Sequence, residues 1–149
     1  KMAANFKSLV GVDNSINMLG HAQEKKIYSE LVHQDVLSYM SKKSKKEDII
    51  VASSVIQFLN GDELGELCKH AARIMNDKDS RFLFSFDISE EPIKLNHNNL
   101  FEYSISVIEN IVSNHLDIIE LKKMELGRFE CGKFVDVGLV ICSLKIQKI

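Results

Sequence analysis

Tryptophan is absent from this chain of 149 residues, proline occurs once, at Pro92, and cysteine three times, at Cys68, Cys131 and Cys142. Three thiols far apart, with no C-x-x-C pair, specify neither a disulfide framework nor a zinc site and suit a reducing, cytoplasmic setting. The five histidines (His21, His33, His70, His97 and His115) fall in no metal-ligand spacing, so no metal is expected. No apolar run approaches the roughly 18 residues of a membrane span, and no signal-peptide pattern opens the chain. A basic excess is also missing: the formal charge of −2 argues against a dedicated nucleic-acid binder. What remains is ordinary, 45% apolar and 27% charged residues, which suits one globular domain over residues 1–149 with a proper core.

What is present is an alternation of strand and helix patterns, the mark of an α/β fold with helices on the faces of a parallel sheet. Ser8 to Asp13 reads as a strand, and Ser15 as the N-cap of a helix running to about Lys25. Leu31 to His33 reads as a short strand, followed by a short helix from Val36 to about Lys42. The run Asp48-Ile-Ile-Val-Ala52 is continuously apolar after its first residue, as expected of a central strand buried on both faces. Asn60-Gly61-Asp62 is a break with a cap. Leu64, Leu67, Cys68, Ala71, Ala72 and Met75 then repeat at helical spacing. Arg81 to Ile88 alternates, with Phe82, Phe84 and Phe86 on one face.

Residues 89–99 read as a polar loop, and Tyr103 to about Asn114 as a helix. Leu116 to Glu125 and Phe134 to Lys145 are strand-like, joined by Gly127 to Gly132. A parallel crossover needs about a dozen residues, so these two strands are expected to form an antiparallel hairpin.

The chemistry gathers at the ends of the early strands. Asp13 stands at the C-terminal end of a parallel strand, where open α/β sheets bind ligands, and its carboxylate can accept from both hydroxyls of a ribose. The plainer alternative is a solvated acid favoured by the dipole of the following helix. Met18 reads as core on the first turn of that helix. Asp35 reads as the N-cap of the helix from Val36. Ser53 and Ser54 follow the apolar run, where they either cap the next turn or face a ligand. His97 and Tyr103 are alternatives as surface-loop residues or as a substrate contact and general base. The run Lys42-Lys43-Ser44-Lys45-Lys46 reads as a solvated loop.

In order and spacing these segments resemble the class I S-adenosylmethionine-dependent methyltransferases, whose Rossmann-like sheet is mostly parallel and ends with an inserted antiparallel strand. Gly11-Val12-Asp13-Asn14-Ser15, with Met18-Leu19, is similar to the second motif of that family. His33-Gln34-Asp35-Val36 is similar to the third, Asp48 to Ser54 to the fourth, and Arg81 to Asp87 to the fifth strand. The tail, Arg128-Phe129-Glu130-Cys131-Gly132-Lys133 continuing into Gly138-Leu139-Val140, resembles a bacterial subgroup of methyltransferases associated with tetratricopeptide repeats. The resemblance implies S-adenosyl-L-methionine as cofactor, with Asp13, Asn14 and Met18 about its ribose and adenine. It further implies Asp35, compatibly with its cap role, and Val36 at the adenine edge, backbone near Ala52 and Ser53, with Ser54, toward its methionine end, and Ser54 or Gln57 facing the acceptor.

The family's first strand and Gly-rich turn have no counterpart among these residues. The resemblance would place that strand mid-sheet, so the chain is expected to be N-terminally incomplete. The implied activity is methyl transfer to a small-molecule or protein acceptor. A methyltransferase-like binding or regulatory module without turnover is the alternative, and the closing hairpin argues against a nicotinamide-dependent dehydrogenase. Alignment of nucleophile, methyl carbon and sulfur is the main demand of such a transfer, so no catalytic acid–base pair need be readable in the sequence.

Overall fold

A computed structural model of the chain describes residues 6–130 and 133–145, with backbone only between 125 and 135. It divides into two compact units, Lys1–Lys43 and Ser44–Ile149. The first holds β1 (Val10–Asp13), α1 (Ile16–Glu24), β2 (Glu30–His33) and α2 (Val36–Lys42). β1 and β2 pair in parallel with Asp13 opposite His33, so both strands finish at the same end. Gly11 sits in close approach to β2, and a Cβ there would lie 2.7 Å from Leu31 Cδ2 and push that side chain aside. Ser15 caps α1 and Asp35 caps α2, in agreement with the sequence reading of both boundaries.

The second unit opens with β3 (Ile49–Ala52), a 3₁₀ turn at Ile56–Phe58, α3 (Gly61–Ile74) and β4 (Arg81–Asp87). β5 (Ile93–Leu95), β6 (Phe101–Tyr103), α4 (Ile105–Ser113), β7 (Leu116–Glu130) and β8 (Lys133–Leu144) follow. The sheet order is β3-β4-β8-β7. β3 and β4 are parallel, and β8 runs antiparallel to both β4 and β7, so only β8 opposes the common direction. The expected closing hairpin is therefore present, and its strands run further into the connection than the sequence pattern indicated. Cys131 and Gly132 of that connection lie outside the described residues.

α3 begins with a capping box: Asn60 Oδ1 accepts from the N–H groups of Asp62 and Glu63, and Glu63 Oε2 accepts from Asn60 N–H at 2.8 Å. At its other end Lys46 Nζ donates to the carbonyls of Arg73 and Met75, so this member of the lysine run closes a helix terminus. Leu64, Leu67, Cys68 and Ala71 of α3 and Ile108 and Val112 of α4 are buried. Phe82, Phe84 and Phe86 share one face of the sheet with Val140 and Cys142 and are buried with them. The aromatic stripe is thus packing, as its alternation indicated. Gly138 faces Phe86 across the β4–β8 ladder, where a Cβ would come within 2.3 Å of the ring.

Three expectations are corrected here. β3 is not buried on both faces: Ile49 is 50% and Val51 64% exposed. Among the described residues β3 pairs only with β4, and apolar continuity does not reveal how many neighbours a strand has. The polar loop at 89–99 contains β5, which pairs antiparallel with β6, and Asn99 adopts φ 58° in the turn between them. Tyr103 ends β6 and lies outside the helix, because Ser104 supplies the N-cap of α4.

Candidate functional site

Asp13 ends β1 half-buried, and its Oδ1 accepts from Ser15 N–H at 2.7 Å. That bond folds the strand end into the start of α1 and fixes the carboxylate's direction. β2 locks the same turn from the side: Gln34 N–H donates to the Asp13 carbonyl at 3.1 Å, and His33 Nε2 lies 3.0 Å from the Asn14 carbonyl oxygen. Among the described residues no protein group bonds Asp13 Oδ2. A carboxylate offers about four lone-pair positions, so acceptor capacity remains for two hydroxyl donors.

Asp35 repeats the arrangement one strand over. Its Oδ1 accepts from Ser38 N–H at 2.8 Å as the cap of α2, and Oδ2 has no protein partner among the described residues. Val36, half-buried, is the first residue of α2, where the backbone N–H has no intrahelical acceptor. Asn14 is exposed. Met18 is 56% exposed, so its assignment to the core is corrected: on α1 it is Leu19 that turns inward. The first unit therefore brings Asp13, Asn14, Asp35 and Val36 to the shared C-terminal end of two parallel strands, with the Met18 thioether on the first turn of the adjoining helix.

Ser53 and Ser54 follow β3 in the second unit, both exposed. Ser54 adopts φ 56°, the left-handed region, and its N–H donates to Ser85 Oγ at 3.3 Å. Gln57 is buried, while Phe58 beside it is exposed. Tyr103 is wholly buried and its hydroxyl donates to the Leu59 carbonyl, so neither a surface-loop position nor a role as general base or substrate contact holds for it. Burial, with Glu63 nearby, pushes its phenol up to about 12. His97 is exposed in the β5–β6 turn. Burial likewise raises the Cys68 and Cys142 thiols to about 12, which leaves them as inert packing groups. The contacts made by His33 and Ser85 had no local signal, because their partners lie 19 and 31 residues away.

No protein-family model and no curated protein matches the sequence. Solved structures do match the fold. The N-methyltransferase NodS from Bradyrhizobium japonicum WM9, in complex with S-adenosyl-l-homocysteine, superimposes with a TM-score of 0.72 at 16% identity, over 93% of this chain and 67% of that one. An S-adenosylmethionine-dependent methyltransferase from Clostridium acetobutylicum ATCC 824 gives 0.68 at 15% identity, over 93% of this chain and 76% of that one. Magnesium protoporphyrin IX methyltransferase from Synechocystis PCC 6803, with bound SAM, gives 0.62 at 17%, over 91% of this chain and 60% of that one. The architecture is therefore α/β and Rossmann-like, of the kind seen in class I methyltransferases, with the antiparallel hairpin in place.

Proposed function

We propose that this protein binds S-adenosyl-L-methionine and transfers its methyl group to a small-molecule or protein acceptor. The observation that carries the reading is Asp13. A carboxylate at the end of a parallel strand has one oxygen anchored by the following turn and the other left to a ligand, on a fold shared with methyltransferases. On this reading Asp13 accepts the ribose hydroxyls, Asp35 accepts from the adenine amino group, and Val36 N–H donates to a ring nitrogen. Asn14 and the exposed Met18 flank the base, and backbone about Ser53 and Ser54 meets the methionine end. The tail sequence favours the subgroup associated with tetratricopeptide repeats.

The donor carries its own leaving group: an acceptor lone pair bonds the methyl carbon as the S–C electrons return to sulfur, and the acceptor's proton leaves to solvent. The protein's task is to hold donor and acceptor in line, a contribution made through orientation. The formal charge of −2 favours a small molecule or protein side chain over nucleic acid as acceptor.

Calorimetry with S-adenosylmethionine and S-adenosylhomocysteine on the complete protein tests this reading. Asp13→Ala is expected to weaken both by about 1–3 kcal/mol, the range for hydrogen bonds to a charged group. Asp13→Asn keeps an acceptor for Ser15 N–H while removing the charge, and is expected to lose most of the same affinity. Unchanged affinities in both variants would remove the ribose role from Asp13.

A further inference from the structure

The ladder between β3 and β4 ends at Ala52 opposite Phe84. Past that point the chain turns through Ser54 in a left-handed conformation, which residues other than glycine and asparagine seldom adopt. Such a conformation persists where its surroundings fix it, and it clusters at ligand sites. Two distant side chains do the fixing. Ser85, the first β4 residue beyond the paired stretch, accepts Ser54 N–H on its hydroxyl. Tyr103, at the end of β6, donates to the carbonyl of Leu59, the residue before the Asn60 cap of α3. Between these two points the 3₁₀ turn closes on itself, with Phe58 N–H and Leu59 N–H donating to the carbonyls of Val55 and Ile56 at 3.0 Å each. Residues 54–59 are thus clamped at both ends by groups from other elements.

We propose that Ser85 and Tyr103 are positioning residues, which shape the Ser53–Leu59 segment so that its backbone meets the methionine end of the methyl donor. This rests on the reading that Ser53 and Ser54 lie at that end. Neither residue touches the donor; each acts through the backbone group it bonds. The two hydroxyls are separable from packing, because Phe in place of Tyr103 keeps the ring and Ala in place of Ser85 keeps the backbone ladder.

The test compares two ligands on the complete protein: S-adenosylhomocysteine, and 5′-methylthioadenosine, which lacks the amino-acid end. Ser85→Ala is expected to weaken S-adenosylhomocysteine about three- to tenfold, the scale of one hydrogen bond, while 5′-methylthioadenosine changes less than about twofold. Tyr103→Phe is expected to shift the same ratio in the same direction, and Ser85→Thr, which restores the hydroxyl, to return it to the wild-type value. Equal losses for both ligands, or no loss for either, would overturn the positioning role, since a merely structural effect does not distinguish them. If the unsubstituted complete protein binds S-adenosylhomocysteine and Asp13→Ala weakens it, the donor reading stands whatever Ser85 does. If the unsubstituted complete protein binds neither ligand, the donor reading fails first and takes this proposal with it.

Discussion

The two units put their candidate groups in place by opposite means. In Lys1–Lys43, Asp13 and Asp35 each commit one oxygen to a backbone N–H two or three residues away. The candidate groups there are side chains, and local turns aim them. In Ser44–Ile149 the candidate segment at Ser53 and Ser54 contributes backbone, and its shape is imposed from Ser85 and Tyr103, which are 31 and 44 residues from the groups they bond. The contrast separates candidate groups that a short peptide could orient from candidate groups that take shape only after the chain has folded.

Breaking the second arrangement at its base gives the largest effect. Phe84 is 1% exposed in the centre of the aromatic stripe, in ring contact with both Phe82 and Phe86. Phe84→Ala is expected to lower stability by about 3–5 kcal/mol through lost burial and the cavity left behind, read as a shift in the urea midpoint.

Alkaline pH loads the same unit. Cys68, Cys142 and Tyr103 all have folded-state values raised to about 12 by burial, from ordinary values near 9 for the thiols and 10 for the phenol. Above pH 9 the unfolded chain releases these protons first, so the folded state then binds more protons and stability falls as pH rises. Their contribution is intact below pH 9 and is lost progressively toward pH 12. Denaturation midpoints measured from pH 8 to 11 should decline, and Cys142→Ala should flatten the decline.

The smallest effect sharpens the first arrangement. Asp35→Ala removes a helix cap and is expected to cost about 1 kcal/mol of stability. Asp35→Ser supplies a hydroxyl cap and is expected to recover most of that loss in thermal unfolding. Affinity for S-adenosylhomocysteine should stay reduced in both variants, because Ser restores the cap but not the anionic acceptor. Recovery of affinity together with stability would show that Asp35 only caps.

Much of the fold was legible because its signals are local. Ser15, Asp35 and Asn60 mark three helix starts through side-chain bonds to N–H groups within the next turn, and the three phenylalanines mark a strand by simple alternation. The β5–β6 hairpin was missed because exposed short strands with polar turns lack an apolar alternation to detect. Met18 was misread because a helix as short as α1 offers few positions from which to judge which way its apolar residues turn.

Sequence by itself determined the helix caps, the strand-end acids, the aromatic stripe and the closing hairpin, each of which depends on residues a few positions apart. Tertiary structure decided that β3 pairs with β4 alone among the described residues, that Tyr103 is buried against Leu59 and that Ser85 holds Ser54. Those outcomes depend on which distant segments meet, and a hydroxyl carries no mark of its partner until the chain closes around it.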